Sequence, residues 1–161
     1  DIIVGFPGET DAEFDETLSL VEQARYDAAY TFQYSPRPMT AAAEMDGHLP
    51  KEVVQERFDR LVALQERISL EQNVASVGRA EEVVVEGTSK KNPDRLAGRT
   101  RGNKLVHFTN DGAEPGALRT VKITGAHPHH LDGELVDGRS EPARRSLTLP
   151  LAATGTGCAS C

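Results

Sequence analysis

The sequence predicts two modules in series: an α/β unit over residues 1–74 and a small all-β barrel over residues 75–137. Three observations predict this division. Apolar residues alternate between strand and helix spacing up to residue 74 and keep to strand spacing afterwards. Charge changes at the same point, with six bases and fifteen acids in residues 1–74 against nine of each in residues 75–138. The last segment, residues 138–161, has no periodic stripe and is expected to be disordered.

Each element follows from its local pattern. Asp1-Ile2-Ile3-Val4-Gly5-Phe6 is a short apolar run closed by Pro7-Gly8, as in a buried parallel strand. Thr10-Asp11-Ala12-Glu13 reads as a capping box, and Phe14, Leu18 and Val21 continue at helical spacing, which predicts a helix over residues 11–26. Tyr30, Phe32 and Tyr34 alternate with polar residues as a second strand, read as packing rather than as a stacking platform. Pro36 and Pro38 end that strand. Pro50 opens a second helix whose stripe is Val54, Phe58, Leu61, Leu64 and Ile68. Strand, helix, strand, helix implies parallel pairing, and two such units cannot cover both faces of a sheet. The segment is therefore expected to be the end of a larger α/β domain, cut from a longer protein.

Beyond Val77 the pattern is β throughout. Strands are predicted over residues 79–87 and 96–101, with Gly102-Asn103 as a two-residue hairpin turn. Leu105, Val106 and Phe108 form the return strand, Leu118, Val121 and Ile123 a fourth, and residues 131–136 a fifth. Five short strands fit a closed barrel of the oligonucleotide-binding kind.

Composition narrows the function classes. The chain has 161 residues, 38% hydrophobic and 27% charged, which excludes collagen, coiled-coil and disulfide-scaffold classes. No apolar run of about 18 residues is present, so no membrane partner is expected. Both cysteines, Cys158 and Cys161, lie in the tail, which points to a reducing, cytoplasmic setting.

Candidate functional residues fall in three groups. Gly5-Phe6-Pro7-Gly8-Glu9-Thr10 joins a strand end to a helix start, where α/β sheets bind ligands and where a side chain at Gly5 would block approach, although on spacing alone a plain capped turn is the favoured reading. Arg37, held between Pro36 and Pro38 at the same end of the sheet, is either a carboxylate or phosphate ligand or a solvated loop residue. Lys90, Lys91, Arg95, Arg99, Arg101 and Lys104 form a stripe opposed locally by Asp94 alone, with Arg99 and Arg101 on one strand face. Such a stripe either contacts phosphates or is a solvated face, and with only Phe108 nearby the contacts would be to backbone rather than stacked bases. His127, His129 and His130 are read as polar loop residues, with no metal site. No complete catalytic centre is visible.

Residues 1–10, then Tyr34-Ser35-Pro36-Arg37-Pro38, then Val85-Glu86-Gly87-Thr88-Ser89-Lys90-Lys91 and Leu96-Ala97-Gly98-Arg99-Thr100, taken together, resemble the C-terminal part of the radical-SAM methylthiotransferases. The resemblance covers residues 1–137. It implies that residues 1–74 are the last units of a TIM-like radical-SAM barrel and residues 75–137 a TRAM domain that binds tRNA. It also implies a methylthio group added to isopentenylated adenosine beside the anticodon, with S-adenosylmethionine (SAM) and two 4Fe-4S clusters as cofactors and the protein a monomer. Siblings that act on threonylcarbamoyladenosine tRNA or on a ribosomal protein, and a stand-alone RNA-binding module, are the alternatives. On this basis Gly5, Phe6, Pro7, Gly8, Glu9 and Arg37 would lie on the SAM side, and Lys90, Lys91, Arg95, Arg99, Arg101 and Lys104 would bind RNA. The cluster cysteines are absent, so the chain alone should be inactive. Where the family usually reads Ser-Pro-Arg-Pro-Gly-Thr-Pro, this chain has Met39 for the glycine and Ala41 for the last proline, so the loop after Arg37 is expected to be altered.

Overall fold

The computed structural model describes residues 1–136. The predicted disordered tail, with Cys158 and Cys161, lies outside the described residues.

The first half contains β1 (Ile2–Val4), α1 (Asp11–Ala24), β2 (Thr31–Gln33) and α2 (Lys51–Val74). The two strands pair in parallel, with Ile3 opposite Phe32. Thr10 caps α1 as expected: Glu13 N–H donates to Thr10 Oγ1 at 3.3 Å, and Thr10 N–H donates to the Glu13 carboxylate at 2.8 Å. Those two bonds satisfy amides that a helix start would otherwise leave free.

One face of the two-stranded sheet is covered and the other is bare. Ile2 and Val4 pack with Phe14 and Val21 of α1 and with Leu61 and Ile68 of α2. On the opposite face Ile3 is 57% and Phe32 48% exposed, and Tyr30 beside them is 75% exposed. Among the described residues nothing covers that side, so within this chain Tyr34 alone of the Tyr30, Phe32, Tyr34 row is partly buried.

The second half is a closed barrel of β3 (Ala80–Thr88), β4 (Arg95–Thr100), β5 (Leu105–Thr109), β6 (Leu118–Ala126) and β7 (Leu131–Leu135). Around the barrel the order is β3-β4-β5-β7-β6. Within the barrel only β5 and β7 pair in parallel. Alternate residues point inward and fill the barrel, among them Val83, Val85, Leu96, Val106, Phe108, Val121, Ile123 and Leu131.

The β4–β5 connection differs from the two-residue turn. Thr100 N–H donates to the Lys104 carbonyl at 3.0 Å, which leaves three residues, Arg101-Gly102-Asn103, in the loop. Asn103 takes φ 61°, the left-handed residue that ends such a loop. Arg101 thus leaves the strand.

The two halves meet along the last turns of α2. The buried side of that helix changes from apolar to polar, with Gln65, Ser69 and Asn73 at i+4 spacing. Gln65 donates to the Tyr26 carbonyl at 2.7 Å and Ser69 to that of Asp27 at 3.1 Å. Asn73 Nδ2 donates to the His127 carbonyl of the barrel at 2.7 Å, and its Oδ1 accepts from Lys104 Nζ at 2.8 Å. Lys104 also reaches Asp27 at 3.0 Å, so one lysine links the barrel to both α2 and the loop after α1. No helix among the described residues is long and apolar enough to cross a membrane.

Candidate functional site

The turn after β1 is tied together from within. Glu9 Oε2 accepts from Gly5 N–H at 2.9 Å and from Arg57 Nη1 at 2.6 Å, while Arg57 Nη2 donates to Asp11 at 2.6 Å. The Arg57 side chain is 3% and that of Glu9 12% exposed. Burial works against the guanidinium charge, but the bonds to Asp11 and Glu9 outweigh it and leave the Arg57 pKa raised. The Glu9 carboxylate is thus committed to holding the loop. Arg57 went unnoticed in the sequence, yet a base three residues after Val54 and four before Leu61 on the apolar stripe is the signal that marks it.

Gly5 has a packing reason to be glycine. Its φ is 78°, and a Cβ there would lie 2.6 Å from Val54 Cγ2 of α2. The expectation that a side chain at Gly5 would act by blocking a ligand needs correcting, since it would first push α2 off the turn. Gly8 differs: its N–H donates to the Gly47 carbonyl at 2.9 Å, and a Cβ would meet nothing within 4 Å.

The structure divides the six residues expected on the SAM side. Gly5 borders a cleft of about 930 Å3 with Tyr34, Ser35, Pro36, His48 and Val54. Phe6, Pro7, Gly8 and Glu9 border a second, of about 280 Å3, with Glu13 and Thr17. Arg37 lines neither of these; it is exposed, and its carbonyl accepts from Thr40 Oγ1 at 2.7 Å. The larger cleft has room for a nucleoside, and in it the buried Tyr34 hydroxyl has no hydrogen-bond partner among the described residues. That orphan oxygen fits a bound SAM. Residues 1–136 contain no cysteine, so the described residues offer no thiolate to hold an iron-sulfur cluster.

The loop after Arg37 takes a left-handed backbone at the position where the family usually has glycine. Met39 has φ 66° and is fully exposed. An exposed side chain bears the conformational cost of that backbone without a clash.

Tertiary folding neutralises most of the basic stripe. Arg95 pairs with Asp132 at 2.7 Å, Arg99 with Glu86 at 3.4 Å, Arg101 with Glu82 at 3.2 Å and Lys104 with Asp27. Local sequence shows Asp94 as the sole opposing acid; the partners come from other strands and from the first half. Arg99 and Arg101 still reach the same outward row of β3, although Arg101 sits in the turn. Lys90 and Lys91, exposed in the β3–β4 loop, have no ion pair among the described residues. Phe108 is fully buried in the barrel and offers no stacking surface.

The β6–β7 turn is closed by His127 N–H to the His130 carbonyl at 2.9 Å. His129 points away to Glu66 of α2 at 3.3 Å. His127 and His130 stack at 4.3 Å between centroids. Burial, aided by His127, pushes the His130 pKa below the usual imidazole range, and Asp132 only partly opposes it.

Residues 74–136 match the family model for the TRAM domain. The chain is 56% identical over 152 residues to tRNA-2-methylthio-N(6)-dimethylallyladenosine synthase 1 of Mycobacterium marinum, covering 89% of this chain and 29% of that protein. It is 54% identical to the synthase of Streptomyces viridosporus, with 91% and 29% covered, and 47% identical to that of Mycobacterium ulcerans, with 99% and 35% covered. The chain thus spans about a third or less of the length of these relatives.

Proposed function

Because the chain belongs to the tRNA-2-methylthio-N(6)-dimethylallyladenosine synthase family, we propose that it is the part of a tRNA methylthiotransferase that completes the radical-SAM barrel and binds tRNA. In this reading residues 1–74 are the last barrel units and residues 75–137 the TRAM domain. The bare face of β1–β2, with Ile3 and Phe32 outward, is the side that would face the barrel interior. The substrate would be isopentenylated adenosine next to the anticodon.

SAM would supply the methyl group and, on reductive cleavage, the radical that activates the adenosine carbon. The residues here would serve its binding. Gly5 and Tyr34 border the cleft, with the Tyr34 hydroxyl free to bond a polar ligand atom, while Glu9 and Arg57 hold the turn in shape. The clusters would be held by residues outside this chain. Purified alone, the chain should neither bind a cluster nor cleave SAM.

The observation that carries the tRNA assignment is that a barrel matched by the TRAM model, in a chain whose relatives are tRNA-modifying synthases, keeps Lys90 and Lys91 unneutralised on one loop. If both touch phosphates, Lys90→Ala/Lys91→Ala should weaken tRNA binding and flatten the slope of log affinity against log salt by roughly 1.4 to 1.8. Arg99→Ala/Arg101→Ala should change the slope less, because those charges already have carboxylate partners. The measurement is tRNA binding by the 161-residue chain across a salt series. An unchanged slope in the lysine pair would overturn the phosphate assignment and restore the ribosomal-protein sibling.

A further inference from the structure

We propose that His127, His130 and Asp132 form a site for one zinc-class transition-metal ion at the β6–β7 turn of the barrel. One ring nitrogen from each histidine and one carboxylate oxygen lie within 4.8 Å of one another. Ligand atoms around tetrahedral zinc are about 3.3 Å apart, so the three need close by only about 1.5 Å. The backbone already brings them together: the His127–His130 hydrogen bond pins both ends of the turn, and Asp132 follows at the start of β7. The His127 side chain is half exposed and has room to swing from its stacked position.

The carboxylate is arranged for one-oxygen ligation. Asp132 Oδ2 faces His127 Nε2 at 3.1 Å, while its Oδ1 is held by Arg95 at 2.7 Å. An outer ion pair of that kind fixes a ligating carboxylate and leaves its other oxygen for the metal. The donor set also selects the ion. Two imidazoles and one carboxylate suit zinc and its neighbours, whereas calcium and magnesium require mostly oxygen ligands. The Arg95 charge further disfavours any ion that binds by electrostatics alone.

The ion would act on the junction between the halves. Asn73 of α2 donates to the carbonyls of His127 and Pro128, and Glu66 takes His129, so the same turn that carries the ligands is where α2 docks. Zinc bound there would stiffen the seat of that helix and stabilise the folded chain, which alone has the site assembled.

Zinc titration by calorimetry tests this, using the full chain with Cys158→Ser and Cys161→Ser so that tail thiolates contribute nothing. One equivalent should bind and raise Tm, and cobalt substituted for zinc should give a visible spectrum without thiolate charge transfer. His127→Ala/His130→Ala should abolish binding and Asp132→Asn should weaken it at least tenfold. His129→Ala should bind normally, which separates loss of a ligand from loss of the turn. The single variant His127→Ala, at a half-exposed ring, should keep the metal-free Tm while losing the zinc-induced rise. No saturable binding by the parent chain up to millimolar zinc, or stoichiometric binding retained by the double histidine variant, would overturn the site.

Discussion

Met39 is a test of how much a single left-handed residue costs. It sits at φ 66° with its side chain wholly in solvent, so nothing gained by packing offsets the crowding of Cβ against the backbone. Met39→Gly should raise stability by about 1 kcal/mol, read as a higher urea midpoint with an unchanged m-value. Arg57 is the opposite case, a charge whose removal exposes a cost hidden in the fold. Arg57→Ala would leave the Glu9 carboxylate buried with only the Gly5 amide for a partner, and should cost about 3 kcal/mol or more in the same measurement. Arg57→Lys should recover only part of this. A single ammonium cannot reproduce the fork that reaches the Glu9 carbonyl, the Glu9 carboxylate and Asp11 together.

At the scale of elements, β4 crosses its neighbour so closely that Gly98 cannot be enlarged. A Cβ there would stand 2.5 Å from both Val83 Cγ1 and the Val84 carbonyl oxygen. Gly98→Ala should therefore destabilise the barrel by about 1–3 kcal/mol, seen as a lower Tm, through overpacking rather than lost conformational freedom. Local patterns announced the elements themselves. The capping box at Thr10, the alternation of Val121 and Ile123 and the strand breaks at Pro36 and Pro38 are all short-range signals, and each corresponds to an observed boundary. What spacing could not give was the pairing: β7 inserts between β5 and β6, a contact between strands distant in sequence. Nor could it give the polar side of α2, because Gln65, Ser69 and Asn73 are buried by partners in other elements.

Across the whole molecule the same limit explains the candidate site. The basic residues were legible as a stripe, but their neutralisation was not, since Glu82, Glu86, Asp27 and Asp132 reach them only after the chain folds back. The proposed metal ligands lie within six residues of one another in sequence, but Arg95, which holds the Asp132 carboxylate, comes from β4 across the intervening β5 and no spacing announces it. Of the six turn and loop residues expected on one side, Gly5 borders one depression and Phe6, Pro7, Gly8 and Glu9 another, while Arg37 lines neither, a division set by how the chain folds back and not by spacing.

Helix α2 carries two fixed points, Arg57 beneath the β1–α1 turn and Asn73 beneath the barrel. Between them the rise is roughly 24 Å, and every residue also sets an angle of about 100°. The helix therefore works as an indexed shaft, in which residue count dictates the compass bearing of the barrel as well as its distance. On the function proposed above, one alanine inserted between those points should swing Lys90 and Lys91 about 100° around the axis and abolish productive tRNA modification by the full-length protein. Seven inserted residues would restore the bearing to within about 20° but lengthen the shaft by about 10 Å. Comparing tRNA affinity with modification rate in the two insertions would separate loss of grip from loss of aim.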